Sequence, residues 1–85
     1  PIMFTVYIPK SLTTGRYYMG QTHDLEKRIA EHNGEDAGHT KKEQPWMLVW
    51  KQCVSTRSEA MILERQIKKR GAKRFLEDIG KKKPG

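Results

Sequence analysis

The first predicted helix, Leu25–His32, carries two polar side chains where an amphipathic helix is normally apolar. Leu25 and Ile29 mark its buried stripe, and at about 100° per residue Arg28 and His32 fall in the same sector. A charge that faces a core is costly unless it is paired or bound to an ion, so this pattern is typical of a polar cleft. For His32 a second interpretation stays open, that of a packed or capping histidine near a helix C-terminus.

A second predicted helix, Arg57–Arg70, repeats this anomaly with a carboxylate. Glu64 falls in the middle of its apolar stripe, which consists of Ala60, Leu63 and Ile67. Arg28, His32 and Glu64 could therefore converge with strand residues in one shared polar cleft. The alternative for Arg28 and Glu64 is a mutual structural ion pair, which would satisfy both charges without a ligand.

Three strands and three helices are predicted to position these residues. The strands lie at residues 3–8, 16–21 and Trp46–Val54 and the helices at Leu25–His32, Arg57–Arg70 and 73–79, which gives the order β-β-α-β-α-α. β-Branched and aromatic residues mark the strands, and a short polar link joins the first two as an antiparallel hairpin. Gly20, late in the second strand, indicates a bulge or a close approach of another group.

Local signals set the ends of the helices. Asp24 is a favourable N-cap for the first helix, which should stop at Gly34 and the asparagine before it. Thr56 and Glu59 have the spacing of a capping box at the start of the second helix, and Gly71 should end it.

The length of 85 residues predicts a single domain, placed at residues 3–79. Residues 35–44 are polar and are predicted to form a loop, and residues 80–85 a disordered basic tail. No apolar run approaches a membrane span, and no signal-peptide core is present. Because Cys53 is the single cysteine, an internal disulfide is excluded. The sequence therefore predicts a soluble protein of a reducing compartment, the cytoplasm, without a membrane partner.

The net charge of +7 is unevenly distributed. Residues 1–64 carry eight basic and eight acidic side chains, whereas residues 65–85 carry nine basic and two acidic ones. A basic surface of this kind favours a polyanionic partner, and nucleic acid before an acidic membrane. The candidate nucleic-acid-binding residues are Lys41, Lys42, Arg65, Lys68, Lys69, Arg70, Lys73 and Arg74. A solvated helix face is the alternative for the run at residues 65–74.

Several motifs in order resemble those of the GIY-YIG nuclease superfamily. They are Val6-Tyr7, Tyr18-Met19-Gly20, the segment 24–28 (DLEKR), the segment 57–60 (RSEA) and Leu63-Glu64. The first element is degenerate and the second nearly standard, with methionine in place of isoleucine. The resemblance covers residues 3–79 and is greatest for small single-domain bacterial members, which are similar to the N-terminal nuclease domain of the repair protein UvrC.

This resemblance implies an α+β fold, with a small three-stranded antiparallel sheet flanked by helices. It implies that Glu64 is the carboxylate ligand of one divalent cation, Mg²⁺ or Mn²⁺, and that Arg28 holds the phosphate oxygens. Tyr7 would activate or position the attacking water, with Tyr18 as its hydrogen-bonding partner. His32 matches a histidine that orients water or tyrosine in part of the family. As a base, Tyr7 would need the metal or Arg28 to lower its pKa.

The function implied is that of a metal-dependent endonuclease of the repair or recombination type. It would hydrolyse phosphodiester bonds in nucleic acid, DNA before RNA, without a small-molecule cofactor, and a protein partner would supply specificity. Many family members carry an asparagine about a dozen residues after the metal ligand, where this chain has Leu76. The alternative is therefore a weakly active or inactive nucleic-acid-binding module of the same fold. A protein-interaction domain with a basic end ranks last.

Overall fold

The structure, a computed structural model, describes residues 3–82 as a three-stranded sheet with helices packed against it. The strands are β1 (Phe4–Ser11), β2 (Gly20–Thr22) and β3 (Trp46–Val54), and the α-helices are α1 (Leu25–His32), α2 (Arg57–Arg70) and α3 (Ala72–Lys82). β1 is the central strand, and both neighbours pair with it antiparallel, in the order β2-β1-β3. The predicted α+β class and antiparallel sheet are confirmed.

The central strand β1 is buried on both of its faces. Val6 and Ile8 pack against Ala60 and Ile67 of α2 and form the buried core. Because successive side chains of a strand point to opposite faces, Tyr7 lies on the other face, where it meets α1. The sheet therefore separates two surfaces, one covered by α2 and the other partly covered by α1.

The ends of α1 and α2 follow the predicted local signals. Asp24 accepts a hydrogen bond from the backbone N–H of Lys27, and Thr56 accepts one from that of Glu59. Gly71 ends α2 with a positive φ of 93°, a backbone conformation that favours glycine. The third helix then packs on the sheet through an edge-to-face contact between Phe75 and Trp50, with ring centroids 4.9 Å apart.

Two predicted elements have different limits in the structure. The second strand, predicted at residues 16–21, is confined to Gly20–Thr22, and only an isolated bridge joins Tyr17 to Lys10 before it. The predicted disordered tail is wrong for residues 80–82, since α3 extends to Lys82. Lysines at a helix C-terminus interact favourably with the helix dipole, which favours this extension. The rest of the predicted tail lies outside the described residues.

The predicted loop at residues 35–44 contains a short 3-10 helix, Gly38–Glu43, which the sequence analysis missed. Tertiary hydrogen bonds hold this segment against the body of the domain. The indole Nε1 of Trp46 donates to the carbonyl of Thr40, and the Gln44 amide donates to the carbonyls of His32 and Gly34. None of the helices within residues 3–82 has the length and apolar content of a membrane span.

Candidate functional site

A hydrogen-bonded cluster of Tyr7, Arg28 and His32 lies on the α1 face of the sheet. Tyr7 projects from the central strand and is fully buried, with 0% of its surface exposed. Its hydroxyl oxygen lies 3.0 Å from His32 Nε2 and accepts a hydrogen bond from Arg28 Nε at 3.3 Å. Arg28 and His32 are one turn apart on α1, so one helix face carries both partners of the tyrosine.

The chemistry of arginine fixes the direction of one of these hydrogen bonds. An arginine guanidinium can only donate, so the Tyr7 oxygen accepts from Arg28. Burial, followed by the nearby charge of Arg28, lowers the pKa of His32 below its usual value. His32 is therefore a neutral imidazole near pH 7, and in the tautomer without a proton on Nε2 it accepts the Tyr7 hydrogen.

The protonation state of Tyr7 differs from the state that a general base requires. Burial raises the pKa of Tyr7 above its ordinary value of 10.0, and this effect outweighs the hydrogen bond and positive charge of Arg28. Arg28 lowers the pKa of Tyr7, as the sequence-based interpretation required, but it does not offset burial in this arrangement. Tyr7 keeps its proton at neutral pH and, in this state, positions its two neighbours.

The close approach expected at Gly20 is made by the Tyr7 side chain. Gly20 is the register partner of Tyr7 in the β1–β2 pair. A Cβ atom at position 20 would lie 2.8 Å from the Tyr7 hydroxyl oxygen, well inside van der Waals contact. The glycine of the Tyr18-Met19-Gly20 motif therefore makes room for the tyrosine of the first motif.

Tyr18 joins the cluster through ring contacts. Its ring centroid lies 5.1 Å from that of His32 and 6.1 Å from that of Trp46. The structure shows this edge-to-face packing and not the hydrogen bond that the family resemblance implies for Tyr18. Tyr18 and Trp46 thus hold the imidazole in place, and the positioning role of Trp46 is one that the sequence analysis missed.

Glu64 lies on α2, which packs against Val6 and Ile8 of the central strand through Ala60 and Ile67. Its side chain is 20% exposed, and its carboxylate accepts a hydrogen bond from Lys68 Nζ at 3.0 Å. Among residues 3–82, no hydrogen bond or ion pair joins Glu64 to Arg28 or His32, so the predicted convergence is not formed by direct contact. The alternative, an Arg28–Glu64 ion pair, is also wrong, because Arg28 instead lies 3.7 Å from Glu31.

Glu64 offers a divalent cation a single carboxylate. Within the described residues, no group of three or more His, Cys, Asp or Glu side chains is placed to hold a metal ion. Mg²⁺ and similar hard ions keep several waters and need one or two carboxylates, so a single half-buried glutamate fits such an ion. The ammonium group of Lys68 is paired with the same carboxylate, so a bound cation would have to displace it.

Two cavities flank Arg28. The larger, of about 530 Å³, lies between α1 and residues 34–40. Its lining includes Tyr18, Arg28 and His32 together with the acidic residues Glu31, Glu35 and Asp36. The smaller, of about 320 Å³, lies at the β2 edge of the sheet, and its lining includes Lys27, Arg28 and Arg57. Lys27 and Arg57 belong to the motif segments 24–28 and 57–60, but the sequence predicted no binding role for either residue.

The predicted nucleic-acid-binding residues divide into two groups. Lys68 is paired with Glu64, and Arg70 forms a two-point ion pair with Asp78, with distances of 2.8 and 2.9 Å. The other members of the set are exposed and form no ion pair within residues 3–82: Lys41, Lys42, Arg65, Lys69, Lys73 and Arg74. The exposed group is the part of the set that is available to a phosphate backbone.

Comparison with known proteins identifies the class to which this fold and cluster belong. The model of the GIY-YIG catalytic domain matches residues 3–77, almost all of the described chain. The chain therefore belongs to the GIY-YIG family, a family of nuclease-type domains.

More particularly, the chain is similar to proteins of the UPF0213 group. It is 42% identical over 64 residues to a UPF0213 protein of Staphylococcus saprophyticus, covering 74% of this chain and 77% of that one. A relative from Halobacterium salinarum is 39% identical over 67 residues, covering 78% and 86%. The solution structure of a UPF0213 protein from Bacillus halodurans superposes with a TM-score of 0.58 at 28% identity, covering 94% of this chain and 85% of that one.

Proposed function

We propose that this chain is a divalent-metal-dependent endonuclease that hydrolyses phosphodiester bonds in nucleic acid, with DNA as the preferred substrate. The observation that carries the proposal is the Tyr7–Arg28–His32 cluster, built into a GIY-YIG domain beside two cavities. A repair or recombination role in the cytoplasm is the biological setting that this activity fits.

Arg28 is the group best placed to bind the scissile phosphate. Its side chain is 46% exposed, although its Nε is held by the buried Tyr7 hydroxyl. The guanidinium edge that does not contact Tyr7 lies at the two cavities and can donate two hydrogen bonds to phosphate oxygens. The fixed orientation supports stabilisation of negative charge as it develops on those oxygens.

Tyr7 and His32 would orient the attacking water and handle its proton. Tyr7 is fully enclosed in the resting structure, so the attacking water would reach its oxygen when substrate binding displaces a covering side chain other than Arg28. Neutral His32, 3.0 Å away, can then accept the Tyr7 proton as Tyr7 takes one from the water. The raised pKa of Tyr7 disfavours a tyrosinate in the resting protein. This relay does not require one.

Glu64 would hold the divalent cation, Mg²⁺ or Mn²⁺. Such an ion supplies charge neutralisation at the scissile phosphate and stabilisation of the departing 3′ oxygen. The contribution of the chain is a half-buried carboxylate that exchanges its partner Lys68 for the ion. The exposed basic residues of α2, α3 and the 3-10 helix would bind the flanking phosphate backbone and make the affinity dependent on salt.

A second candidate function is that of a nucleic-acid-binding module that does not cleave. The observation in its favour is that Lys68 already neutralises the proposed metal ligand while burial keeps Tyr7 protonated. Such a module would bind nucleic acid with a steep salt dependence and show no turnover with either metal.

A cleavage screen separates the two candidates. Single-stranded, duplex and branched DNA and RNA are incubated with Mg²⁺ or Mn²⁺ and the parent chain, Glu64→Ala or Glu77→Ala. The endonuclease proposal expects cleavage by the parent and by Glu77→Ala, which removes an exposed helical carboxylate. It expects at least a hundredfold loss in Glu64→Ala, with an unchanged melting temperature. Equal cutting by Glu64→Ala and the parent would refute the mechanism, and binding without turnover in all three would favour the second candidate.

A further inference from the structure

The smaller cavity lies where the N-terminal ends of α1 and α2 approach the β2 edge of the sheet. It has a volume of about 320 Å³ and is lined by Phe4, Gln21, Thr22, His23, Asp24, Lys27, Arg28, Glu31 and Arg57. Because Arg28 belongs both to this lining and to the Tyr7 cluster, the cavity is continuous with the proposed catalytic site.

The lining of this cavity carries an excess of positive charge, three cations against two acids. Lys27, Arg28 and Arg57 contribute three cations to the lining. One of the two acids, Asp24, already accepts a hydrogen bond from the Lys27 backbone as the N-cap of α1. The other, Glu31, lies 3.7 Å from Arg28. The charges of Lys27 and Arg57 are thereby left for an anion from outside the chain.

Arg57 is held in an orientation suited to binding an anion through its N–H edge. Its guanidinium lies 5.0 Å from the centroid of the Phe4 ring, and it forms no ion pair within the described residues. Stacking on an aromatic ring fixes the plane of a guanidinium and leaves its N–H edge available. Arg57 is also the first residue of α2, where the helix dipole adds positive potential.

The carboxamide of Gln21 also lines this cavity. Its Oε1 atom is buried and has no hydrogen-bond partner among the described residues. The chain therefore leaves one polar group unsatisfied beside the cavity.

We infer that this cavity binds a second phosphodiester group, adjacent to the scissile one, through Arg57 and Lys27. The inference rests on the proposed function and adds to it the path of the substrate strand. Lys27, Arg28 and Glu31 line both cavities. The strand would leave Arg28 on this side, because this cavity adds Arg57 and one acid, whereas the larger cavity adds two acids, Glu35 and Asp36, which repel phosphate. Arg57 is thus a substrate-binding residue separate from the C-terminal basic run.

The first test measures how tightly each variant binds a fluorescent single-stranded oligonucleotide without divalent metal. The test variant and its control lose the same charge at two different positions. Arg57→Met keeps an unbranched side chain over Phe4 but removes the charge. Arg57→Lys keeps the charge but loses the planar guanidinium with its paired N–H donors. Arg16→Met is the control, since the Arg16 side chain is 75% exposed and lines neither flanking cavity. Melting temperatures verify that each variant is folded.

The expected result is a loss of affinity of about five- to tenfold in Arg57→Met, with a log–log salt slope smaller by about one. Arg57→Lys should fall between Arg57→Met and the parent, and Arg16→Met should match the parent. In cleavage, Arg57→Met should raise KM with little change in kcat. An Arg57→Met variant with the affinity and salt slope of Arg16→Met would overturn the inference, whatever Glu64→Ala does to cleavage.

A second test locates the phosphate. One neutral methylphosphonate linkage is moved along the oligonucleotide, and its effect on binding is measured for the parent and for Arg57→Met. At one position it should weaken the parent but not Arg57→Met, since both changes remove the same contact. Equal effects on the two proteins at every position would contradict a localised subsite. These binding measurements remain decisive if the parent binds but does not cleave, in which case only the proposed function fails. A parent that binds no oligonucleotide contradicts both.

Discussion

The two faces of the sheet hold their polar groups in different ways. On the α1 face, Tyr7 is fully buried and is bound by side chains 21 and 25 residues further along the chain. On the α2 face, Glu64 is bound by Lys68, four residues away on the same helix. The first arrangement depends on the whole fold, whereas the second is a local helix pair that forms wherever the helix does.

This difference separates a fixed part of the site from an exchangeable part. The geometry of Tyr7, Arg28 and His32 is held by burial and by the rings of Tyr18 and Trp46, so it changes little unless the core changes. A surface ion pair such as that of Glu64 contributes about 0–1 kcal/mol, so a cation can replace Lys68 at small cost. Phosphate binding is therefore preorganised, and the metal ligand becomes available when the ion arrives.

The largest expected effect follows from changing the fixed part without changing its charge. Arg28→Lys keeps a cation but loses both the Nε bond to Tyr7 and the two-point donor for phosphate. We expect a fall in the single-turnover cleavage rate of about 10²–10³, the usual cost of losing an electrostatic donor to the transition state. Arg74→Lys, an exposed substitution of the same type, should change the rate less than about twofold. A threefold or smaller effect of Arg28→Lys would contradict this preorganisation.

The next effect tests whether the Tyr7 cluster depends on close packing. Gly20→Ala places a Cβ about 2.8 Å from the Tyr7 hydroxyl oxygen and should lower the free energy of unfolding by about 1–3 kcal/mol. Gly80→Ala is the control, since no atom outside its own helix lies within 4 Å, and it should raise stability by about 0.5–1 kcal/mol. Chemical denaturation measures both. Equal stabilities of the two variants would show that Tyr7 moves freely.

The third effect is a pH dependence specific to the α1 face. The pKa of His32 is lowered by folding, so the unfolded chain binds the proton more readily as the pH falls through 6.5. His32 therefore contributes stability that is present above pH 6.5 and is lost towards lower pH. Denaturation at pH 7.5 and 5.5 should show a smaller loss for His32→Gln than for the parent. His23→Gln, which changes an exposed histidine, should follow the parent, and identical profiles for all three proteins would contradict this assignment.

The smallest effect on stability is expected on the α2 face. Lys68→Gln breaks the pair with Glu64 and should change the free energy of unfolding by at most about 0.5 kcal/mol. It should nevertheless lower the Mn²⁺ concentration for half-maximal cleavage several-fold, because the competing ammonium group is gone. Arg70→Gln also changes a basic residue of α2 but breaks its pair with Asp78 of α3, so it should leave the metal requirement unchanged. If both variants behaved alike in a Mn²⁺ titration, Glu64 would not be the metal ligand.

Local signals predicted most of the secondary structure. The bounds of α1, α2 and β3 agree with the sequence prediction, because capping residues and strand-forming residues act within a few positions. The restriction of β2 to Gly20–Thr22 and the 3-10 helix were not predicted. Pairing with β1 decides the first, and the hydrogen bonds of Trp46 and Gln44 decide the second. Both depend on residues distant in the chain.

The candidate site was predicted in part by helical periodicity. That periodicity placed Arg28 and His32 together on one face, and the structure joins both to Tyr7. The same reasoning placed Glu64 in the same cleft, but a helical wheel reports which side of a helix is buried and not which face of the sheet it covers. Arg57 and Lys27 were placed by the sequence in helices and in the motif segments 57–60 and 24–28, and only the tertiary structure brings them to one cavity.

The sequence by itself determined which residues are helical, which are extended and where positive charge accumulates. These properties arise from capping, side-chain shape and composition, which operate over short distances along the chain. Tertiary structure alone decided that the pKa of Tyr7 is raised, that the pKa of His32 is lowered, and that Tyr7 meets Arg28 and His32 in one buried cluster. Burial and electrostatic partners set these properties, and both exist only once the strands have paired and the helices have packed.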